Sequence, residues 1–301
     1  MTTTKAARRP SFFRRLGRCL RGKKVNRGIA DNLLSVLFLL VVGAFMALPL
    51  LYVFMNAFKP MEELLLFPPR FFVRNPTTQN FSELFQSMGE TWVPFSRYIG
   101  NTIFITAATT FFHIAFSCMA AYALAKHTFF GSKALFNIVV LALMFNSTVT
   151  AVPNYLMMAQ LGWIDTMLAV IVPAVQLPLG LYLMKQFMDP IPDSLLESAR
   201  LDGAGEFHIL WSIVMPQVKP AWLTLLILQI QQLWGLSSTY LISEEKKTLA
   251  MAMGQVTAGG TVARMGAAGA GALIMLVVPI VAFMLSQSQV LETMNSSGIK
   301  E

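Results

Sequence analysis

Residues 191–220 read IPDSLLESARLDGAGEFHILWSIVMPQVKP. Pro192 cannot continue a preceding helix, because proline lacks a backbone N–H, so a new helix is expected after it. Asp193 or Ser194 can cap that helix. Ser194 and Glu197 also fit the spacing of a capping box, in which each side chain binds a free backbone N–H. The stretch therefore predicts a short helix that begins beside Pro192.

The short helix is expected to run to about Asp202 and to end in a left-handed turn at Gly203, with a second helix starting near Gly205. Glu197 and Arg200 lie on its polar face. Its apolar face carries Leu195, Leu196 and Ala199. An amphipathic helix of this kind lies on a membrane surface or docks onto another protein, and the residues alone leave both interpretations open.

Uncharged stretches on both sides of this segment are long enough to cross a membrane, since a spanning helix needs about 20 residues. They contain no Lys, Arg, Asp or Glu and are Leu33–Met55, Tyr98–Ala125, Ala134–Ile164, Thr166–Met184, Pro220–Ser243 and Met265–Leu291. Apolar residues make up 55% of the chain and charged residues 13%, and the mean hydropathy is +0.59. We therefore predict an all-α membrane protein with six transmembrane helices.

The net charge of +8 is concentrated ahead of the first span, where Lys5–Arg27 holds basic residues and no acid. Few aromatic side chains accompany them, so membrane topology explains this tail better than nucleic-acid binding. Basic flanks stay in the cytoplasm, so both termini are expected there, in the plasma membrane. The predicted divisions are a cytoplasmic tail at 1–32, a six-span domain at 33–291 with an external loop at 56–97 and a cytoplasmic loop at 189–208, and a tail at 292–301.

The residue patterns of an enzyme or a metal site are absent from the sequence. The chain has 2 cysteines and 3 histidines, without metal-ligand spacing, and no G-x-x-x-x-G-K-[ST] phosphate loop. We predict no catalytic, metal-binding or cofactor-binding residue. Ion-coupled carriers place ionisable residues within their spans, whereas here only His113 lies there, and we expect it to be packed. The residues therefore do not favour an ion-coupled carrier.

The segment Glu197–Ala204, ESARLDGA, resembles the EAA loop of ATP-binding-cassette (ABC) importer permeases, whose pattern is E-A-A-x-x-D-G-A. Ser198 stands where alanine is usual. Other motifs follow the order of the carbohydrate-uptake permeases, in particular the second permease subunit of maltose-type systems. They include Pro49, Asn56-Ala-Phe58-Lys59-Pro60 with Glu62, Asn80-Phe81, Tyr98 with Asn101, Ala121–Lys126, Pro153, Leu161-Gly162, Ile191-Pro192, Ile213 with Pro216 and Pro220, and Gly298–Lys300.

The resemblance implies the type I importer permease fold and a neutral sugar or oligosaccharide as the transported solute. It also implies a second homologous permease, two ABC ATPase subunits and an extracellular solute-binding protein as partners. The helix of the cytoplasmic loop would dock in a cleft of an ATPase. The implied coupling residues are Glu197, Ala199, Asp202, Gly203 and Ala204. Trp234-Gly235 departs from the usual Trp-Asn, which leaves the identity of the sugar open.

Neutral polar and aromatic residues within the spans are candidates for a substrate cavity. Amides and hydroxyls hydrogen-bond to sugar hydroxyls, and aromatic rings cover the apolar face of a sugar. The predicted cavity residues are Asn146, Asn154 and Tyr155 on the third span and Gln229, Gln232 and Trp234 on the fifth. Hydrogen bonding between helices is the alternative role for each of them.

Alternative functions are an importer of a polyol or a glycerol-phosphate compound, an ion-coupled carrier subunit, and a membrane-embedded enzyme. The last two lack support in the residues, because the spans hold no carboxylate, and the chain shows no histidine cluster and no nucleophile–base pair.

Overall fold

The computed structural model describes residues 29–89, 93–145, 147–258 and 264–297, and this part of the chain contains helices and no strand. It divides into two compact units with the boundary between Tyr52 and Val53. The predicted tail at 1–32 lies largely outside the described residues, as do residues 298–301 of the second tail.

The described part of the first unit is helical. Helix α1 (Ile29–Ala57) runs through the unit boundary, and its portion Leu33–Ala57 is long and apolar enough to cross a membrane. It covers the first predicted span. Pro49 lies within the helix, a position that membrane-spanning helices tolerate.

The second unit contains the other helices of the described residues. In chain order they are α2 (Met61–Leu64), α3 (Gln79–Gly89), α4 (Phe95–Lys126), α5 (Ser132–Ala142), α6 (Ser147–Gln160), α7 (Leu168–Val175), α8 (Pro178–Met188), α9 (Asp193–Leu201), α10 (Glu206–Gln217), α11 (Lys219–Trp234), α12 (Leu249–Ala258) and α13 (Met265–Ser297). Helix α4 is central, because it packs against α7, α8, α11 and α12. Helix α13 packs against α3 and α11.

Four described segments are long and apolar enough to cross a membrane, and the bent pair α10–α11 adds a fifth. The third predicted span is not one helix, because Ala134–Ile164 is divided between α5 and α6. Each half is shorter than the about 20 residues that cross a bilayer. Tight i→i+3 hydrogen bonds at Met144 and Phe145 end the first half. A hydropathy count does not detect a turn inside an uncharged run. The sequence Asn-Ser-Thr at 146–148, directly after Phe145, favours the start of a new helix.

The fifth predicted span, Pro220–Ser243, is wrong at its C-terminal end. Helix α11 stops at Trp234, and a loop follows in which Glu244–Lys246 forms a short 3-10 turn. At its other end α11 meets α10 at an angle of 81°. Pro220 lies in the first turn of α11, where a missing N–H does no harm. The middle of α10, Ile209–Val214, is a π-helix.

The predicted external loop contains two helices, α2 and α3. Buried polar side chains order the segment before α3. Lys59, 2% exposed, donates from Nζ to Asn56 Oδ1 at 2.8 Å and to the carbonyl oxygen of Arg70 at 2.5 Å. Asn80 donates from Nδ2 to the carbonyl oxygens of Ala57 and Lys59 at 2.9 and 2.8 Å. These bonds explain why charged and amide residues are buried here.

The small-residue run Gly266–Gly271 forms a packing surface of α13 against this loop. A Cβ atom on Gly266 would lie 2.2 Å from Asn80 Oδ1, and one on Gly269 would lie 3.1 Å from the Asn56 carbonyl oxygen. Both distances are shorter than van der Waals contact. The run therefore allows the close approach expected of small residues between helices.

Candidate functional site

Helix α9 ends as the sequence predicts, in a left-handed glycine turn. Gly203 has φ +85°. The N–H of Ala204 donates to the carbonyl oxygen of Ala199 at 3.0 Å, and the N–H of Gly203 donates to that of Arg200 at 3.0 Å. This pair of bonds is the Schellman motif, which requires the positive φ that glycine adopts without strain.

The predicted capping box is wrong. Helix α9 begins at Asp193, its N-cap residue is Pro192, and no side chain caps its first N–H groups. Ser194 thus lies inside the first turn instead of ahead of it. Its backbone carbonyl oxygen accepts a hydrogen bond from the Ser198 hydroxyl. The serine–glutamate spacing is present but lies out of register with the helix start.

A lysine at the end of α4 holds the start of α9. Lys126 Nζ donates to the carbonyl oxygens of Asp189 and Ile191 at 3.2 and 2.6 Å and to Asp193 Oδ1 at 2.9 Å. The Lys126 side chain is only 3% exposed, so its charge is compensated by these three acceptors. Asp193 is exposed, and the bond fixes it to the surface of the bundle.

A glutamate holds the end of α9 to α4 and to the next helix. Glu206, at the start of α10, accepts hydrogen bonds from Arg200 Nε at 2.8 Å and from the Tyr122 hydroxyl at 2.7 Å. His127 Nε2 lies 3.5 Å from the same carboxylate. The hydrogen bond to Glu206 raises the pKa of Arg200 above its ordinary value. Tyr122 belongs to the motif Ala121–Lys126 noted in the sequence, whereas Glu206 was not singled out there.

The outward face of α9 differs in part from the predicted one. Leu196 and Ala199 are buried in a cluster with residues of α4, α8, α10 and α11, as expected for an apolar face. Leu195 is 41% exposed, so the described helices leave this residue of the apolar face uncovered. Leu201 is 89% and Phe207 72% exposed. The exposed surface therefore combines large apolar side chains with the exposed acids of α9.

Four of the five predicted coupling residues line one cavity. Its volume is about 550 Å³, and its wall consists of Ala199, Asp202, Gly203, Ala204, Gly205, His208 and Ile213. Glu197 is exposed on α9 and does not line this cavity. The turn at Gly203 creates the concave side, because it directs α10 away from the axis of α9.

The predicted substrate-cavity residues are not brought together. Asn146 lies outside the described residues. Asn154 is half-buried on α6, and Tyr155 is 42% exposed and stacks on Tyr240 with ring centroids 6.1 Å apart. Gln229 is buried and donates to the carbonyl oxygen of Ala174 at 3.3 Å, which is the alternative role of a bond between helices.

The remaining two, Gln232 and Trp234, lie on different faces of α11. Gln232 is exposed, whereas Trp234 is 8% exposed and lines a groove of about 780 Å³ with residues of α4, α10 and α13. The groove is mainly apolar. Thr106 and Thr110, also in its wall, and the Trp234 indole N–H have no hydrogen-bond partner within the described part of the chain.

At the opposite end of α4, Asp165 connects the turn before α7 to the loop after α11. Its N–H donates to the Tyr240 carbonyl oxygen at 2.7 Å, and its carboxylate accepts from the Ser243 N–H at 2.8 Å and from Lys246 Nζ at 2.9 Å. The hydrogen bonds from Ser243 above all hold the pKa of Asp165 well below its usual range.

Comparison with known proteins identifies the family. Residues 113–292 match the family described as binding-protein-dependent transport system inner membrane component. The chain belongs to this family. It is an ABC importer permease, a membrane-embedded transporter subunit and not an enzyme, and its resemblance to the carbohydrate-uptake permeases is confirmed.

Similar proteins support this membership across most of the permease. Protein LplC of Bacillus subtilis is 31% identical over 238 residues, 76% of this chain and 77% of the relative. The arabinooligosaccharides transport system permease protein AraQ of Halalkalibacterium halodurans is 30% identical over 220 residues, 71% of this chain and 75% of the relative. A chain in the crystal structure of a bacterial ABC transporter that imports the acidic polysaccharide alginate has a TM-score of 0.74 at 21% identity, covering 88% of this permease and 99% of that chain. The permease therefore has the all-helical type I importer fold.

Proposed function

We propose that this permease is one of two membrane subunits of an ATP-driven importer that carries a neutral sugar or oligosaccharide delivered by an extracellular binding protein. The observation that carries the solute class is the absence of Asp, Glu, Lys and Arg from the six predicted spans. A charged solute held within these spans would have no opposite charge beside it. The names of two relatives agree, namely AraQ and the melibiose/raffinose/stachyose import permease MelC of Bacillus subtilis, 28% identical over 229 residues.

Six spans with both termini in the cytoplasm remain our proposal for the topology. In it, α5 and α6 together form the third span, and the fifth span contains α11, which ends at Trp234. The basic residues Lys126 and Lys133 flank the start of the third span, which supports a cytoplasmic position for that end of α4. Helix α9 lies at this same end, since Lys126 binds it.

We further propose that α9 docks onto an ATPase subunit and that Glu197, Ala199, Asp202, Gly203 and Ala204 couple the two proteins. The exposed Leu201 and Phe207 support a protein partner, because they are large apolar side chains beside exposed acids. A second homologous permease and two ATPase subunits complete the proposed complex.

The substrate path is proposed to involve Asn154, Tyr155, Gln232 and Trp234, with Asn146 retained from the sequence. Gln229 is better explained by its bond to α7. Exposed amide and aromatic groups on α6 and α11 remain available to a solute, as a sugar requires.

The test is uptake by the assembled importer in proteoliposomes. This permease is reconstituted with the second permease, the ATPase and the binding protein encoded by neighbouring genes. The uptake of labelled neutral oligosaccharides is then compared with that of labelled acidic oligosaccharides. We expect ATP-dependent uptake of a neutral oligosaccharide. Uptake of acidic oligosaccharides alone would overturn the solute class, and uptake without ATP would overturn the mechanism.

A further inference from the structure

Both ends of α9 are attached to the last turns of α4. The start of α9 is held by Lys126, and its end is held through Arg200, Glu206 and Tyr122. Tyr122 and Lys126 are four residues apart in the last turns of α4, so they lie on one face of that helix. We name these four residues, Tyr122, Lys126, Arg200 and Glu206, the α9 clamp.

Two attachments restrict α9 more than one would. A helix held at a single point can rotate about it, whereas a helix held at both ends moves only with the body that holds it. The buried Lys126 charge strengthens the first attachment, because breaking it would leave an unpaired charge in the bundle. Leu196 and Ala199 pack in the same cluster as Cys118 and Tyr122 of α4 and fill the space between the two attachments.

Helix α4 is suited to carry a displacement over its whole length. Its 32 residues span about 48 Å at 1.5 Å rise per residue. It contains no proline, whereas α10 and α11 meet at 81° and Pro279 lies within α13. Prolines and breaks are where helices bend, so α4 is the stiffer element.

The other end of α4 is bound to the loop that follows α11. Asn101 Nδ2 donates to the carbonyl oxygens of Glu245 and Lys247 at 2.7 and 3.0 Å. The N–H of Leu249 donates to Thr102 Oγ1 at 2.8 Å. Lys246 of the same loop binds Asp165. A movement of α4 along or about its axis therefore reaches this loop directly.

We infer that the α9 clamp makes α4 the element that transmits movement of the ATPase-docking helix to the loop at 235–248. This inference rests on the proposed function of α9. Tyr122, Lys126, Arg200 and Glu206 are positioning residues: they act through α9 and touch no substrate.

The first test measures the attachment in the full chain and needs no ATPase. Spin labels are attached at Ser96→Cys, near the start of α4, and at Ser198→Cys, on the exposed side of α9, in a background with Cys19→Ser. Pulsed electron paramagnetic resonance in nanodiscs then measures the distribution of distances between the two labels. We expect a narrow distribution that broadens in the Tyr122→Phe/Glu206→Gln variant. Asp189→Asn, which breaks the ion pair with Lys185 at the same end of the bundle but leaves the clamp intact, should keep the narrow distribution.

The second test measures transport per ATP in the assembled importer. Loss of the attachment through Tyr122 and Glu206 should lower the amount of sugar transported per ATP several-fold while ATPase binding and turnover persist, because α9 still docks but can rotate about the Lys126 attachment instead of moving α4. Tyr122→Phe alone removes one hydroxyl and serves if the double variant is unstable. An unchanged distance distribution, an unchanged ratio, or loss of ATPase binding would each overturn the inference. If the parental importer neither binds an ATPase nor transports, the proposed function fails, whereas the spin-label result still decides whether the clamp exists.

Discussion

The hydroxyl of Tyr122 donates a 2.7 Å hydrogen bond to Oε2 of Glu206, although the two residues are 84 positions apart in the chain. The bond joins the last turns of α4 to the first residue of α10. Arg200 Nε binds the other carboxylate oxygen at 2.8 Å and adds the end of α9. One carboxylate thus fixes the direction in which the chain leaves the Gly203 turn. Loss of one donor leaves the other bond in place, whereas loss of the carboxylate releases both.

Gly203→Val should disable coupling, whereas the neighbouring Gly205→Val should not. Gly203 has φ +85°, where a side chain costs roughly 1–2 kcal/mol, whereas Gly205 has φ −73°. A Cβ atom meets no atom within 4 Å at either position, so the two variants differ in backbone strain and not in crowding. We expect both proteins to insert into the membrane, and only Gly203→Val to lose ATPase association or transport. Equal transport by the two variants would contradict the role of the turn.

Lys126→Gln should lower stability by roughly 1.5–3 kcal/mol, the value of a hydrogen bond to a charged group. The neutral amide cannot compensate Asp193 and reaches fewer of the three acceptors that Lys126 Nζ binds. Lys133→Gln is the matched control, since Lys133 is exposed at the start of α5. Thermal unfolding in detergent measures the difference. A midpoint equal to that of Lys133→Gln would show that Lys126 does not hold α9.

The elements that depend on local sequence could be predicted, and those that depend on distant contacts could not. The Gly203 turn follows from one residue whose backbone freedom is unusual. The division of Ala134–Ile164 was missed because hydropathy measures polarity and not helix continuity. The bond between Tyr122 and Glu206 joins two residues with no local pattern, and only the packing of α4 against α8 and α10 brings them together. Trp234 was predicted as a cavity residue from its chemistry, but the apolar groove that it lines depends on its packing with residues of α4, α10 and α13, which are distant in the sequence.

Gly266→Ala should destabilise the junction between α13 and the loop before α3. The new methyl group would lie 2.2 Å from Asn80 Oδ1 and force that side chain away from the carbonyl oxygens of Ala57 and Lys59. Overpacking of this kind costs about 1–3 kcal/mol. Gly100→Ala on α4, where no atom lies within 4 Å of the new group, is the control. A Gly266→Ala protein as stable as this control would mean that Asn80 does not order the loop.

Acid should weaken the connection made by Asp165. Its pKa is lowered in the folded protein, chiefly by hydrogen bonds from Ser243, so the ionised form stabilises the fold. The contribution of the ionised carboxylate to the free energy of unfolding is present above the ordinary aspartate pKa of about 3.9. It is lost as the pH falls below that value, because the unfolded chain takes up a proton at a higher pH than the folded protein does. Asp165→Asn should therefore lower the unfolding midpoint at pH 7, and its difference from the parental protein should shrink below about pH 4. A difference that stays constant across this range would contradict the assignment.

Gln229 and Gln232 of α11 should respond differently to the same substitution, because one is buried in a bond between helices and the other is exposed. Gln229→Leu removes the donor to the Ala174 carbonyl oxygen. An unpaired buried carbonyl costs about 1–3 kcal/mol, so this variant should lose stability. Gln232→Leu leaves no group unpaired within the described bundle and should keep the parental stability, yet it should lower sugar transport if its amide meets the solute.

The binding protein alone should retain its affinity for sugar in both experiments. Unfolding midpoints and initial uptake rates, measured on the same preparations, separate the two effects. Parental uptake by Gln232→Leu would remove this residue from the proposed substrate path and leave Asn154 and Tyr155 of α6 as the residues to test next.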